Sequence, residues 1–208
     1  MSGVECGWVG EDPRPADQEG TKVHGNLILS DRALLRTLAL DSIREGLETG
    51  QASEPDLASL PPSVQELGAT FVTLQLHGRL RGCVGSFERS RPLAEDVARN
   101  AYSAAFRDYR FSPLSAAELS DIEIHISVLT PLEPMNVGSR EDLLRQLRPG
   151  LDGLLLEDTT HRATFLPQVW ESLPEPESFL GELLAKAGLP RDFWSGTLSF
   201  HRYGVEEF

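Results

Sequence analysis

Two periodicities alternate along this chain. Phe71-Val72-Thr73-Leu74-Gln75-Leu76 alternates apolar with polar and is rich in β-formers, which predicts a strand. His77-Gly78-Arg79 supplies a tight turn, with glycine free to take positive φ. Leu80-Arg81-Gly82-Cys83-Val84-Gly85 is then the return strand of a hairpin. Side chains of one face recur at every second residue, so Leu80 and Val84 are expected on one side and Arg81 and Cys83 on the other. Ile122–Leu129 alternates more regularly, with Ile122, Ile124, Ile126 and Val128 inward and His125 on the opposite face. Leu154-Leu155-Leu156 and residues 162–166 form a second hairpin around Asp158-Thr159-Thr160-His161, and residues 197–203 make a closing strand.

Helical spacing fills the gaps. Ser30 suits an N-cap, with Leu29 and Leu34 as a hydrophobic staple. Leu34, Leu35, Leu38, Ser42, Ile43, Gly46 and Leu47 then trace one face, and Gly50 is a C-terminal stop. Residues 51–66, with Pro55, Pro61 and Pro62, read as a connector with at most a short helix. Ser90-Arg91-Pro92 announces a helix whose Leu93, Val97, Ala101, Ala105 and Phe106 make a narrow stripe suited to close packing on a sheet. Ser115-Ala116-Ala117-Glu118 carries a capping-box pattern for a short helix. Residues 140–147 predict another, and Phe179, Leu180, Leu183, Leu184 and Ala187 the last, ended by Gly188 before Pro190. Strand pairs joined as hairpins and separated by helices specify an α+β fold with antiparallel sheets flanked by helices.

Composition narrows the class. At 208 residues, 40% hydrophobic and 25% charged, the chain has the make-up of a globular protein able to bury a sizeable core. No apolar run reaches the roughly 20 residues of a membrane span, and residues 1–22, acidic and rich in Pro and Gly, read as a disordered extension without a signal core. Residues 23–208 then form a single domain. The two cysteines are Cys6, inside the extension, and Cys83, so no disulfide framework is expected and a cytoplasmic setting fits. The net charge of −13 argues against a protein that coats phosphate backbones. Residues 79–110 nevertheless hold seven arginines against four carboxylates, a local +3, which would draw a small anionic ligand or an acidic patch on a partner.

Candidate chemistry concentrates in that basic stretch. A guanidinium at Arg81 two residues from Cys83 favours the thiolate, and Gly82 and Gly85 leave room for another backbone or a ligand, with a bulge or a bend as the alternative reading of the glycines. Cys83 thus reads as a catalytic nucleophile, with a small buried hydrophobe as the alternative reading. Arg110 with Arg81 would bind one anionic group while Asp108 orients a guanidinium; a helix-terminal arginine paired with an acid explains the same residues structurally. His125 is the first candidate base for Cys83, or a solvent-facing histidine. The five histidines show no HExxH or paired spacing, and the chain has no CxxC, P-loop, GxGxxG or GxSxG, so no metal and no cofactor is expected.

Leu80-Arg81-Gly82-Cys83-Val84-Gly85 resembles the signature of the AMMECR domain family, and further matches follow in order. Asp108-Tyr109-Arg110-Phe111-Ser112-Pro113-Leu114 is similar to the family's Asp-Pro-Arg-Phe-x-Pro-Leu, and Ile126-Ser127-Val128-Leu129-Thr130 to its Val-Ser-Val-Leu segment. Gly153-Leu154, Phe165-Leu166-Pro167-Gln168-Val169 and Lys186-Ala187-Gly188-Leu189 extend the match to about residues 30–203. Two departures stand out: Tyr109 replaces a proline, and Leu184 stands where a number of relatives place a cysteine. The resemblance implies two unequal lobes with a cleft between them, the larger lobe built from both chain ends. It implies no defined reaction. It does imply a component acting with Memo-like and radical-SAM proteins in modification of a biomolecule, with a site at Arg81, Gly82, Cys83, Gly85, Asp108 and Arg110. The alternatives are a stand-alone enzyme using Cys83 as nucleophile on an anionic small substrate, and a regulatory nucleic-acid-associated protein, which the global charge opposes.

Overall fold

The computed structural model describes residues 27–208, so the expected extension lies outside the described residues. The chain is an α+β protein in two compact units, one of residues 27–129 and 206–208 and the other of residues 130–205.

The first unit opens with α1 (Leu29–Thr49), followed by a 3-10 turn at Leu57–Ser59 and α2 (Pro62–Gln65). β1 (Leu67–Gly68), β2 (Thr70–Leu76), β3 (Arg79–Gly85) and β4 (Arg91–Pro92) lead into α3 (Leu93–Phe106) and β5 (Ile122–Leu129). β2 pairs with both β3 and β5, all antiparallel, and the core is made by Val72, Leu74, Val84, Ile126 and Val128 against Leu93, Val97, Ala101 and Ala105 of α3. α1 lies on α3 through small residues: the Ser42 hydroxyl donates to the Ala98 carbonyl at 2.8 Å, and a Cβ at Gly46 would meet Phe106 at 2.4 Å. Gly50 ends α1 at φ 75°, a left-handed stop that glycine takes without strain.

α1 starts one residue before the expected Ser30 cap. Ile28 stands at the N-cap without a side-chain bond, and Leu29 is 81% exposed, so no staple forms. Tertiary contacts set this start instead: Leu27 is buried, its N–H donates to Glu206, and Arg32 pairs with Glu206 at 2.8 Å. Residues 115–118 form turns rather than the expected helix.

The second unit contains β6 (Glu133–Pro134), α4 (Arg140–Gln146), β7 (Gly153–Glu157), β8 (Arg162–Phe165), a 3-10 helix Pro167–Glu171, α5 (Pro176–Lys186) and β9 (Ser199–Tyr203). The sheet order is β6-β9-β7-β8, and Leu154, Leu156 and Phe200 pack with Trp170, Phe179, Leu180, Leu183 and Leu184. Leu184, where a thiol was noted as missing, is a fully enclosed core side chain. Trp170 stacks on Phe179 with ring centroids 3.8 Å apart, and its indole N–H donates to the Asp152 carbonyl. After β9, a further strand, β10 (Val205–Glu207), runs beside β5, giving the first unit's sheet the order β10-β5-β2-β3. No helix of the described residues is long and apolar enough to cross a membrane.

Candidate functional site

The hairpin that carries the signature turns at His77 and Gly78, both at positive φ (52° and 71°), as a two-residue turn matched to strand twist requires. Its return strand is not regular. Val84 faces Val72, Cys83 faces Thr73 and Gly82 faces Leu74, but the next residue of β2, Gln75, faces Leu80. Arg81 is therefore an extra residue in a β-bulge, and the bulge changes the parity of everything before it. Leu80, expected beside Val84, lies on the face of Thr73 and Cys83. Arg81, expected beside Cys83, turns to the free edge of β3.

At that edge the Arg81 guanidinium is held through two of its three nitrogens, Nη1 being buried without a hydrogen-bond partner among the described residues. Its Nε donates to Glu118 Oε1 at 2.7 Å, and its Nη2 donates to Glu118 Oε2 at 3.3 Å and to the Ser112 carbonyl at 3.0 Å. Glu118 also accepts from the Ser115 N–H and hydroxyl, the carboxylate half of a capping box without a helix, while its own N–H donates to the Ser115 carbonyl. The hydrogen bond from Arg81, followed by those from Ser115, pulls the Glu118 carboxyl down to about 2. Sequence reasoning marked Glu118 only as a helix start; its role as the counter-ion of Arg81 was the missed half. A group held below its unfolded value contributes stability that is complete above the unfolded pKa and is lost as pH falls through the folded one. The stability difference between wild type and Glu118→Gln is therefore expected to shrink as pH falls from about 5 to about 2, measured by urea unfolding across that range. A constant difference overturns the assignment.

Cys83 has 0% exposure, and its Sγ accepts a hydrogen bond from the Thr73 hydroxyl at 3.2 Å. It is disulfide-bonded, where the cysteine count predicted no disulfide framework. Thr73 pairs with Cys83 on one side and with His125 on the other, so β2 separates the proposed base from the sulfur by two strand spacings, about 10 Å between backbones.

The main chain of Cys83 explains the second motif. β3 is an edge strand, and its Cys83 N–H and C=O point away from β2. Asp108 Oδ2 accepts the N–H at 2.9 Å, and Arg110 Nη2 donates to the C=O at 3.3 Å. Arg110 in turn grips Asp108 through Nε at 2.9 Å and Nη2 at 2.7 Å. Burial would raise the Asp108 carboxyl, but bonds from Arg110 and the Cys83 N–H outweigh it and hold the group below its ordinary value. The Arg81 and Arg110 guanidinium carbons lie 5.9 and 5.6 Å from the centre of the Phe111 ring, within cation–π reach. The Asp-x-Arg-Phe segment is thus a clip that closes the edge of β3.

The two signature glycines serve close packing. A Cβ at Gly82 would lie 2.1 Å from the Ala104 carbonyl oxygen of α3, and one at Gly85 would meet the Phe71 ring at 2.3 Å. Of the two occupants expected beside them, neighbouring protein atoms are what approach.

A polar cluster that the sequence reading passed over sits at the other end of the hairpin. Asp96 of α3 is fully buried and accepts from Thr70 and Ser86, each at 2.7 Å, and from Asn100 at 3.0 Å, with Arg91 at 3.7 Å. Burial, the largest influence, raises its carboxyl pKa despite those donors. The signal was present as Asp96 and Asn100, four apart beside the Leu93-Val97-Ala101 stripe. A surface depression of about 450 Å³ is lined by residues 53–58 with Glu95 and Arg99, and none of the expected site residues lines it.

Comparison with known proteins bears on the fold and the family. A protein of Thermofilum pendens is 36% identical over 200 residues, covering 88% of this chain and 92% of its own. One of Methanothermobacter thermautotrophicus is 39% identical over 155 residues, covering 72% and 79%. The crystal structure of an uncharacterised protein from Pyrococcus horikoshii superposes with a TM-score of 0.77 at 34% identity, covering 84% of this chain and 88% of that one. The AMMECR1 family model matches residues 36–208, and the chain belongs to the AMMECR1 family.

Proposed function

We propose that this chain works as a non-covalent component of a multiprotein system, acting with Memo-like and radical-SAM proteins in modification of a biomolecule. The observation that carries this reading is that the signature's reactive groups are spent inside the fold. Arg81 is bound to Glu118 and Arg110 to Asp108, while the Cys83 sulfur is enclosed and its main chain is clipped. Groups so engaged suit a rigid platform better than a nucleophile, which needs access and an adjacent base. The same engagement argues against the anionic-ligand role for Arg81 and Arg110, since a ligand would have to displace two bidentate carboxylates.

Analytical ultracentrifugation of the purified chain with the Memo-like and radical-SAM proteins tests this. Co-sedimentation is expected, and folded Cys83→Ala, although it lacks the disulfide, is expected to associate within about twofold of wild type, because the enclosed sulfur is not presented to a partner. Failure to associate in any pairwise or three-way mixture overturns the reading. A folded Cys83→Ala protein that associates but abolishes turnover of the system would restore the nucleophile.

A further inference from the structure

We infer that the exposed side of the turn at residues 107–111 is the contact through which this component docks, and that it meets an acidic protein surface with a recess for an aromatic ring. The inference rests on the component reading above and gives that reading a location and a partner chemistry. Tyr109 is 86% exposed, yet both neighbours are fixed. Asp108 is buried under the Cys83 N–H and Arg110, Arg110 is clamped to Asp108, and the Phe111 N–H closes the turn on the Asp108 carbonyl at 3.0 Å. The ring is therefore offered on a backbone already ordered, which removes much of the entropy cost of binding. Tyrosine and arginine are the side chains that most often dominate interface energetics.

Charge selects the partner. Arg107 is exposed with its guanidinium 5.8 Å over the Tyr102 ring, and no carboxylate of the described residues pairs with it. Arg81 and Arg110 are paired with Glu118 and Asp108, so the charge this turn offers, in a chain of net −13, is that of Arg107. An acidic surface is drawn to this turn and repelled by the bulk of the molecule, which fixes the direction of approach. The same global charge favours a protein over a nucleic acid.

The test is surface plasmon resonance of the full chain over the immobilised Memo-like and radical-SAM proteins, at about 50 and about 300 mM salt. Variants are Tyr109→Ala, Arg107→Glu and, as a control at an exposed apolar position elsewhere, Leu29→Ala. Tyr109→Ala is expected to weaken binding at least about tenfold, chiefly through faster dissociation. Arg107→Glu is expected to slow association about tenfold and to flatten the salt dependence, and Leu29→Ala to change neither by more than about twofold. Wild-type kinetics in both turn variants overturn the docking assignment while leaving the component reading intact. Absence of any complex overturns both. Binding of duplex DNA that Arg107→Glu abolishes, without a protein complex, assigns the turn to nucleic acid and also overturns the inference.

Discussion

Asp108→Ala is expected to destabilise the protein by about 3–5 kcal/mol, the range for removing one member of a buried ion pair. The Asp108 side chain is 1% exposed and that of Arg110 18%, so water does little to replace the lost partner. The substitution strips Arg110 of two short hydrogen bonds and leaves the Cys83 N–H on the edge of β3 unpaired. Asp108→Asn should cost less, because an amide oxygen still accepts one N–H while the charge pairing is gone. Arg110→Ala leaves the carboxylate unpaired in turn, so the double variant should be less destabilised than the sum of the two singles. Urea unfolding of the four proteins at neutral pH measures the cycle. Full additivity would mean that the clip does not act as a unit.

Gly82→Ala is expected to prevent stable folding or to cost about 3 kcal/mol or more, at the upper end of overpacking effects. The reason is the identity of the obstructing atom. A Cβ there would approach the Ala104 carbonyl oxygen to 2.1 Å, and a helix carbonyl cannot swing away as the end of a side chain can. Relief requires α3 to lift from the sheet, which opens the contacts of Val97 and Ala101 with the core. Gly138→Ala, with nothing within 4 Å and no positive φ, should stay within about 0.5 kcal/mol of wild type and serves as the control. Circular dichroism thermal melts of the two variants decide it. A Gly82→Ala protein as stable as Gly138→Ala would mean that the strand and helix are not in close contact.

Much of the scaffold was legible because its causes are local. Alternation located β2 and β5 to within a residue, and Gly50 and Gly188 marked helix ends where left-handed φ is required. The 3.6-residue stripe found α3, whose buried residues include Leu93, Val97, Ala101 and Ala105. β10 and the start of α1 were missed for one reason: each is fixed by a partner distant in sequence. β10 pairs with β5, and Leu27 and Arg32 are held by Glu206.

The candidate site divides along the same line. Residue types and spacing in the sequence singled out Arg81, Gly82, Cys83, Gly85, Asp108 and Arg110, which the family resemblance joined as one group, assigned the hairpin that holds four of the six, and located an excess of arginine around them. What those residues do was decided in three dimensions. A single extra residue at Arg81 reverses strand parity and carries the guanidinium from the face of Cys83 to the edge, where Glu118 waits. Bulges depend on how two strands settle against each other and against α3, and pairing of Arg81 with Glu118 spans 37 positions. Local pattern encodes which face of an element is apolar; it does not encode which carboxylate a buried arginine will meet, because that is settled by packing between elements distant in sequence.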